Sequence, residues 1–207
     1  MTKNILMRID FQNDFVHPYG ALSIQNPDLI EKHQKFAEGL FANSFDEIIE
    51  TYDTHYYETF DNTFEAEKFP LHCVFNSWGW QSAAPFKPEF NVTKMFKSTT
   101  NIWNEIKTYK RLNENWQGQN VYLCGLLSDI CVLYAMNGLL KRGANVIIFD
   151  DLCQGAEKQI SDILQEDTYL PFVESGQLKS ITTAQFFRSA LLDKKIQHNL
   201  VNKTLGE

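Results

Sequence analysis

Cys131 is the residue of this chain with the clearest chemical opportunity. It lies in NVYLCGLLSDICVL, residues 120–133. Val121 to Cys124 form a short apolar run suited to a buried strand, Gly125 breaks it, and apolar residues recur at helical spacing from Ile130 through Leu133, Ala135, Met136, Leu139 and Leu140. The pattern predicts strand, tight turn and helix, with Cys131 in the first helical turn. Unpaired backbone N–H groups and the positive end of the helix dipole favour an anion there, so a thiolate is easier to form than in solution. A free cysteine is also among the residue types most often buried as packing, so company elsewhere in the chain decides its role. Asp10 ends the apolar run NILMRI at 4–9, and Lys94 falls near the end of a predicted strand, FNVTKMF at 90–96, with Lys97 as its rival. A carboxylate that shuttles the thiol's proton, an ammonium that lowers the thiol's pKa and helix-start N–H groups that hold an oxyanion make an acyl-transfer site.

A second constellation is Asp53, His55, Glu65 and His72. Residues two apart in an extended segment point the same way, so Asp53 and His55 can face one ion, and the segment after them can fold back to bring Glu65 and His72. Two imidazoles and two carboxylates suit one divalent ion, Zn²⁺ before Fe²⁺ or Mn²⁺. Glu58, Asp61 and Glu67 compete with Glu65 for the fourth position. Neither GxGxxG nor GxxxxGK[ST] occurs, so no glycine-rich phosphate loop competes for the function.

These residues need a scaffold that brings distant strand ends together, and the chain's alternation supplies one. After the strand at 4–9 comes a helix from Asn26-Pro27 to about residue 43, a strand at 46–52, and a long aromatic and acidic connection to about 88. Then follow the strand at 90–96, a short helix marked by Ile102, Ile106 and Tyr109, the strand and helix around Cys131, a strand at 144–150, a helix over 156–167 and a last strand at 178–182. Such alternation predicts a three-layer α-β-α fold on a doubly wound parallel sheet of about six strands, with chemistry at the strands' carboxyl ends. One domain over 1–207 is expected, the polar tail after about 192 being an arm, a subunit contact or disorder.

A net charge of −7 argues against nucleic acid or an anionic membrane as partner, leaving a small molecule as the expected ligand. No apolar run is long enough for a membrane helix, and MTKNILMRID lacks a signal peptide's apolar core, so a cytoplasmic protein is expected. Four cysteines at 73, 124, 131 and 153 have neither metal-finger spacing nor the density of a disulfide scaffold, and are expected as thiols.

IDFQNDF at 9–15, YDTH at 52–55, FPLHC at 69–73, Lys94 and CGLLSDICVLYA at 124–135 together resemble the isochorismatase-like cysteine hydrolases, and within them the nicotinamidases and pyrazinamidases. The resemblance spans residues 4 to about 182, and its most specific part is the G-x-x-[ST]-D-x-C-V element. It implies a catalytic triad of Asp10, Lys94 and Cys131, and a cis peptide at Leu126-Leu127 with the Leu127 and Cys131 N–H groups as the oxyanion hole. It further implies a metal held by Asp53, His55, Glu65 and His72, and Phe15 as a pocket ring, with Trp78 and Trp80 as further candidates. The activity implied is hydrolysis of nicotinamide to nicotinate and ammonia, by a homo-oligomer. Where many such enzymes read H-C-V-x-G-T-x-G, this chain reads HCVFNSWG at 72–79, which alters a loop near the site. Two alternatives stay open: a relative acting on isochorismate, a carbamoyl compound or another heteroaromatic amide, and a silent binding scaffold. The intact nucleophile disfavours the second.

Overall fold

A computed structural model describes residues 2–192 of the chain, and the tail after 192 lies outside them. Six strands form one sheet: β1 (Asn4–Ile9), β2 (Glu47–Asp53), β3 (Val92–Lys97), β4 (Asn120–Leu126), β5 (Asn145–Gln154) and β6 (Leu178–Ile181). Their order is β3-β2-β1-β4-β5-β6, with every neighbouring pair parallel. The order reverses between β1 and β4, and in an open α/β sheet that switch point opens a crevice beyond the carboxyl ends of the strands.

The central strands read as near-continuous apolar runs because both faces are covered. Helix α1 (Asn13–Val16) is a single turn directly after β1, and α2 (Pro27–Gly39) carries the first crossover. Proline fits its first turn, where no N–H partner is needed, and α2 buries Leu29, His33, Phe36 and Ala37. Phe36 packs against Phe149 of β5 and against Phe186 and Phe187 of the helix over 183–192. Helix α3 (Cys131–Lys141) buries Val132, Ala135, Met136 and Leu139. Among the described residues no helix is long and apolar enough to cross a membrane.

Two predicted helices are shorter than their periodicity suggests. Over 102–113 the chain makes two 3-10 turns, Ile102–Glu105 and Lys110–Asn113. They are docked by the Trp103 indole, which donates to the Tyr134 and Ala135 carbonyls of α3. Over 156–167 only α4 (Ile160–Ile163) is α-helical, and helix resumes as α5 (Leu170–Glu174), where Pro171 can start a turn but not continue one.

The long connection between β2 and β3 is tied down by the loop after β1. Gln12 donates to the Asp53 and Trp80 carbonyls and accepts from the Asp53 N–H, and Asp14 accepts from the Cys73 N–H at 2.7 Å. At Gly125 the backbone has φ +117°, and a Cβ would sit 2.0 Å from the Ile9 carbonyl oxygen. Only glycine lets the end of β4 come this close to β1, so the break in the apolar run also brings the Asp10 and Cys131 turns together.

Candidate active site

Asp10 is the first residue beyond β1, and its backbone takes a left-handed conformation, φ 48°. Single non-glycine residues held so are strained and concentrate at functional sites. The Asp10 N–H donates to the Thr51 carbonyl at 3.1 Å, and the Thr51 hydroxyl donates to Oδ1 at 2.7 Å, so the carboxylate is fixed from β2. On its other oxygen it receives Lys97, whose Nζ lies 2.7 Å from Asp10 Oδ2, 3.5 Å from Asp53 Oδ1 and 3.7 Å from Cys131 Sγ. One ammonium thus touches both the Asp10 carboxylate and the Cys131 sulfur.

The lysine here is Lys97, which corrects the expectation of Lys94. Lys94 is exposed, with its ammonium 5.2 Å above the Tyr52 ring. Side chains alternate along a strand, so Met95 and Lys97 turn into the buried face while Lys94 turns away. Register adds to this: Lys94 pairs with Glu50, Lys97 with Asp53, and the three-residue offset moves Lys97 about 10 Å nearer the carboxyl edge where the thiol lies.

Burial drives the electrostatics of the triad. It pushes Asp10 above the usual carboxylate range despite Lys97 pulling down. It works against the charge of Lys97, but Asp10 and Asp53 outweigh it and hold the ammonium well above its ordinary value. It lifts the Cys131 thiol well above its ordinary value, with Lys97 opposing. The helix-start reading favoured a thiolate; in the folded site desolvation wins, and the resting triad is a thiol, a carboxylate with raised basicity and a permanent ammonium.

Asp53, His55, Glu65 and His72 are all buried, and one ligand atom from each lies within 4.8 Å of the others. Asp53 Oδ2 is 3.4 Å from His55 Nε2 and 3.0 Å from His72 Nε2, and Glu65 Oε2 is 3.2 Å from His55 Nε2. The competitors Glu58, Asp61 and Glu67 are exposed. His72 Nδ1 sits 2.8 Å from the Pro70 carbonyl; donating there, it leaves the Nε2 lone pair facing Asp53. Such an arrangement calls for a proton or a cation between them. Glu65 Oε1 is buried without a hydrogen-bond partner, as an unspent donor atom of a cation site would be. The residues therefore fit a divalent ion.

Without an ion the cluster holds protons. Burial disfavours the charged form of His55, but Asp53 and Glu65 outweigh it and raise its pKa to about 9. Burial likewise pushes Asp53 up, yet Lys97 and the two imidazoles keep it far below the usual range. A raised histidine stabilises fully below its unfolded value near 6.5 and loses that contribution as pH rises through 9. Metal-free protein should therefore lose up to roughly 3 kcal/mol between pH 6.5 and 9. Loading Zn²⁺ at pH 7 should release about one proton, since a ligating imidazole must be neutral. Calorimetry in buffers of different ionisation enthalpy reads that proton, and zero release would show His55 neutral beforehand.

Both constellations open on one cavity of about 230 Å³. Cys131, Leu126, Leu127 and Ile130 border it from the turn between β4 and α3, Asp53, Glu65 and His72 from the cluster, and Phe15 from α1. The Leu126–Leu127 peptide is cis, where the resemblance placed it. Trp78 does not belong to the cavity: it is 48% exposed, its ring forms a T-shaped pair with His17, and its carbonyl accepts from the Asn13 side chain. Trp80 is packed among Tyr52, Phe75 and Phe96. The walls that sequence reasoning missed are Leu22, Ile24, Phe69, Thr100 and Ala156. Of these only Phe69 had a signal, three residues before His72 in FPLHC.

Fold and site define a class of α/β hydrolases that carry a cysteine beside a metal-competent cluster at the carboxyl edge of the sheet. A family model described as the isochorismatase domain matches residues 4–168, and the chain belongs to the isochorismatase family. It is 28% identical over 172 residues to the nicotinamidase of Saccharomyces cerevisiae, covering 61% of this chain and 76% of that protein. Its fold is shared with the nicotinamidase/pyrazinamidase of Bacillus subtilis, at TM-score 0.64 and 22% identity over 86% of this chain and 99% of the other. The pyrazinamidase of Pyrococcus horikoshii, solved in complex with zinc, superposes at TM-score 0.63 with 24% identity, over 86% and 98%.

Proposed function

We propose that the protein is a cysteine amidohydrolase that converts nicotinamide to nicotinate and ammonia through a thioester on Cys131. The observation that carries this reading is the single cavity bordered by both the Cys131 turn and the Asp53/Glu65/His72 cluster. It sets a nucleophile at one side of an aromatic amide and a site for a Lewis acid at the other. The yeast relative's activity and the zinc of the Pyrococcus relative support it.

In this mechanism Cys131 Sγ attacks the carboxamide carbon while its proton passes to Asp10, whose raised basicity suits it to the task. The Leu127 and Cys131 N–H groups receive the developing oxyanion. The C–N bond breaks, Asp10 returns the proton to the departing ammonia, and the thioester remains. Asp10 then takes a proton from water, the resulting hydroxyl attacks the thioester carbon, and nicotinate leaves as the thiol is restored. Lys97 stays protonated throughout and holds Asp10 in reach of the sulfur. Asp53, His55, Glu65 and His72 would hold the ion, Zn²⁺ before Fe²⁺ or Mn²⁺; when bound it offers an acceptor site for the lone pair of the ring nitrogen. Phe15 and Phe69 supply apolar ring contacts.

The test compares ammonia release from nicotinamide and from benzamide, which has the same shape without the ring nitrogen, on metal-loaded and chelated protein. The expected result is at least about a tenfold preference for nicotinamide in kcat/KM, carried mainly by KM and lost on chelation. Equal turnover of both amides in both states would return the chain to the broader family of hydrolases.

A further inference from the structure

Asp129 stands within the nucleophile turn, between Leu127 and Cys131, yet takes no part in the triad. Its carboxylate turns instead to the connection between β5 and α4. Oδ1 accepts the Ala156 N–H at 3.0 Å, and Oδ2 accepts those of Glu157 at 2.7 Å and Lys158 at 3.0 Å. Partial burial works against its charge, but these three N–H groups outweigh it and hold the carboxyl below its ordinary range, so it is ionised at neutral pH. A second stitch runs beside it, the Ser128 N–H donating to the Gln154 carbonyl at 3.0 Å. Between the two stitches lies Gly155, where a Cβ would sit 1.9 Å from the Lys158 carbonyl oxygen, so the strap can turn this tightly only with glycine. Ala156, the residue pinned by Oδ1, borders the same cavity as Cys131.

We infer that Asp129 is a positioning residue for substrate binding: it locks the strap over 154–158 to the nucleophile turn, so that Ala156 forms a fixed wall of the cavity and sets the width available to a planar ring. Three charge-assisted hydrogen bonds from consecutive N–H groups are a rigid attachment, stronger than their neutral counterparts. The N–H groups lie on exposed residues, so water can take them over when the carboxylate is removed, and the loss falls on geometry rather than on folding. The wall is a property of the structure, whereas its reading as a ring-binding wall rests on the proposed function.

The test uses the full chain, metal-loaded, with Asp129→Ala and Asp129→Asn. Amide hydrogen exchange at 156–158 should accelerate at least about tenfold, and KM for nicotinamide should rise about tenfold while kcat stays within about threefold. Alkylation of Cys131 by iodoacetamide, a small neutral reagent, should stay within about twofold of wild type. Gly155→Ala provides a second route: its Cβ would sit 1.9 Å from the Lys158 carbonyl oxygen and 3.1 Å from Asp129 Oδ1, so it disrupts the strap while keeping the carboxylate's charge, and should show the same split between KM and kcat. Unchanged exchange at the strap would overturn the attachment. A fall in kcat and alkylation rate together at unchanged KM would overturn the positioning role and assign Asp129 to the nucleophile instead. Wild-type protein that leaves nicotinamide untouched would sink the substrate reading, while the exchange measurement would still decide the attachment.

Discussion

Cys131→Ala should lower kcat/KM for nicotinamide by roughly 10⁴-fold or more, because it removes the atom that forms the thioester and leaves only binding and oxyanion stabilisation. The fold should survive: Cys131 is half-buried at a helix start, and its loss leaves Asp10 paired with Lys97. Asp10→Asn should cost roughly 10² to 10⁴, since an amide cannot carry the proton from sulfur to ammonia. Cys73, Cys124 and Cys153 should be dispensable. All three are buried and, unlike Cys131, none of them borders the cavity. Mass spectrometry of protein trapped with a slow substrate checks the assignment; an adduct on Cys73 would move the nucleophile.

The sheet was legible because parallel strands buried on both faces announce themselves as apolar runs, and Asp10 and Cys131 were legible because they follow such runs directly. The metal cluster was legible in part. Asp53 and His55 share a strand end and its alternation, whereas Glu65 stands out from Glu58, Asp61 and Glu67 only by being buried. No periodicity marks that choice; it is made by the fold of the β2–β3 connection, which Gln12 and Asp14 anchor from another part of the chain. The same holds for Trp78 and Trp80, aromatic residues in the right segment whose rings the loop turns away from the cavity. Sequence pattern records local period and burial; it does not record which of several similar side chains a non-periodic loop turns inward.

The lysine is where that limit bears on the chemistry. Alternation along 92–97 says that Lys94 and Lys97 face opposite sides, but which side carries the site depends on the register of β3 against β2, a long-range fact. Lys97 should therefore be the residue whose loss is felt. Lys97→Met, which keeps much of the volume, removes the cation shared by two buried carboxylates and should destabilise by about 3 to 5 kcal/mol, as does breaking a buried ion pair. Lys94→Ala should stay within about 0.5 kcal/mol. Two further signs separate the roles in whatever protein remains folded. Lys97 opposes the upward push of burial on Cys131, so its removal should raise the thiol further and slow iodoacetamide alkylation at pH 8 by about tenfold or more. Lys97 also pulls Asp10 down, so without it Asp10 should ionise at higher pH, and the acid limb of the kcat/KM profile should move to higher pH with it. Slowed alkylation in Lys94→Ala together with an unchanged rate in Lys97→Met would reverse the assignment.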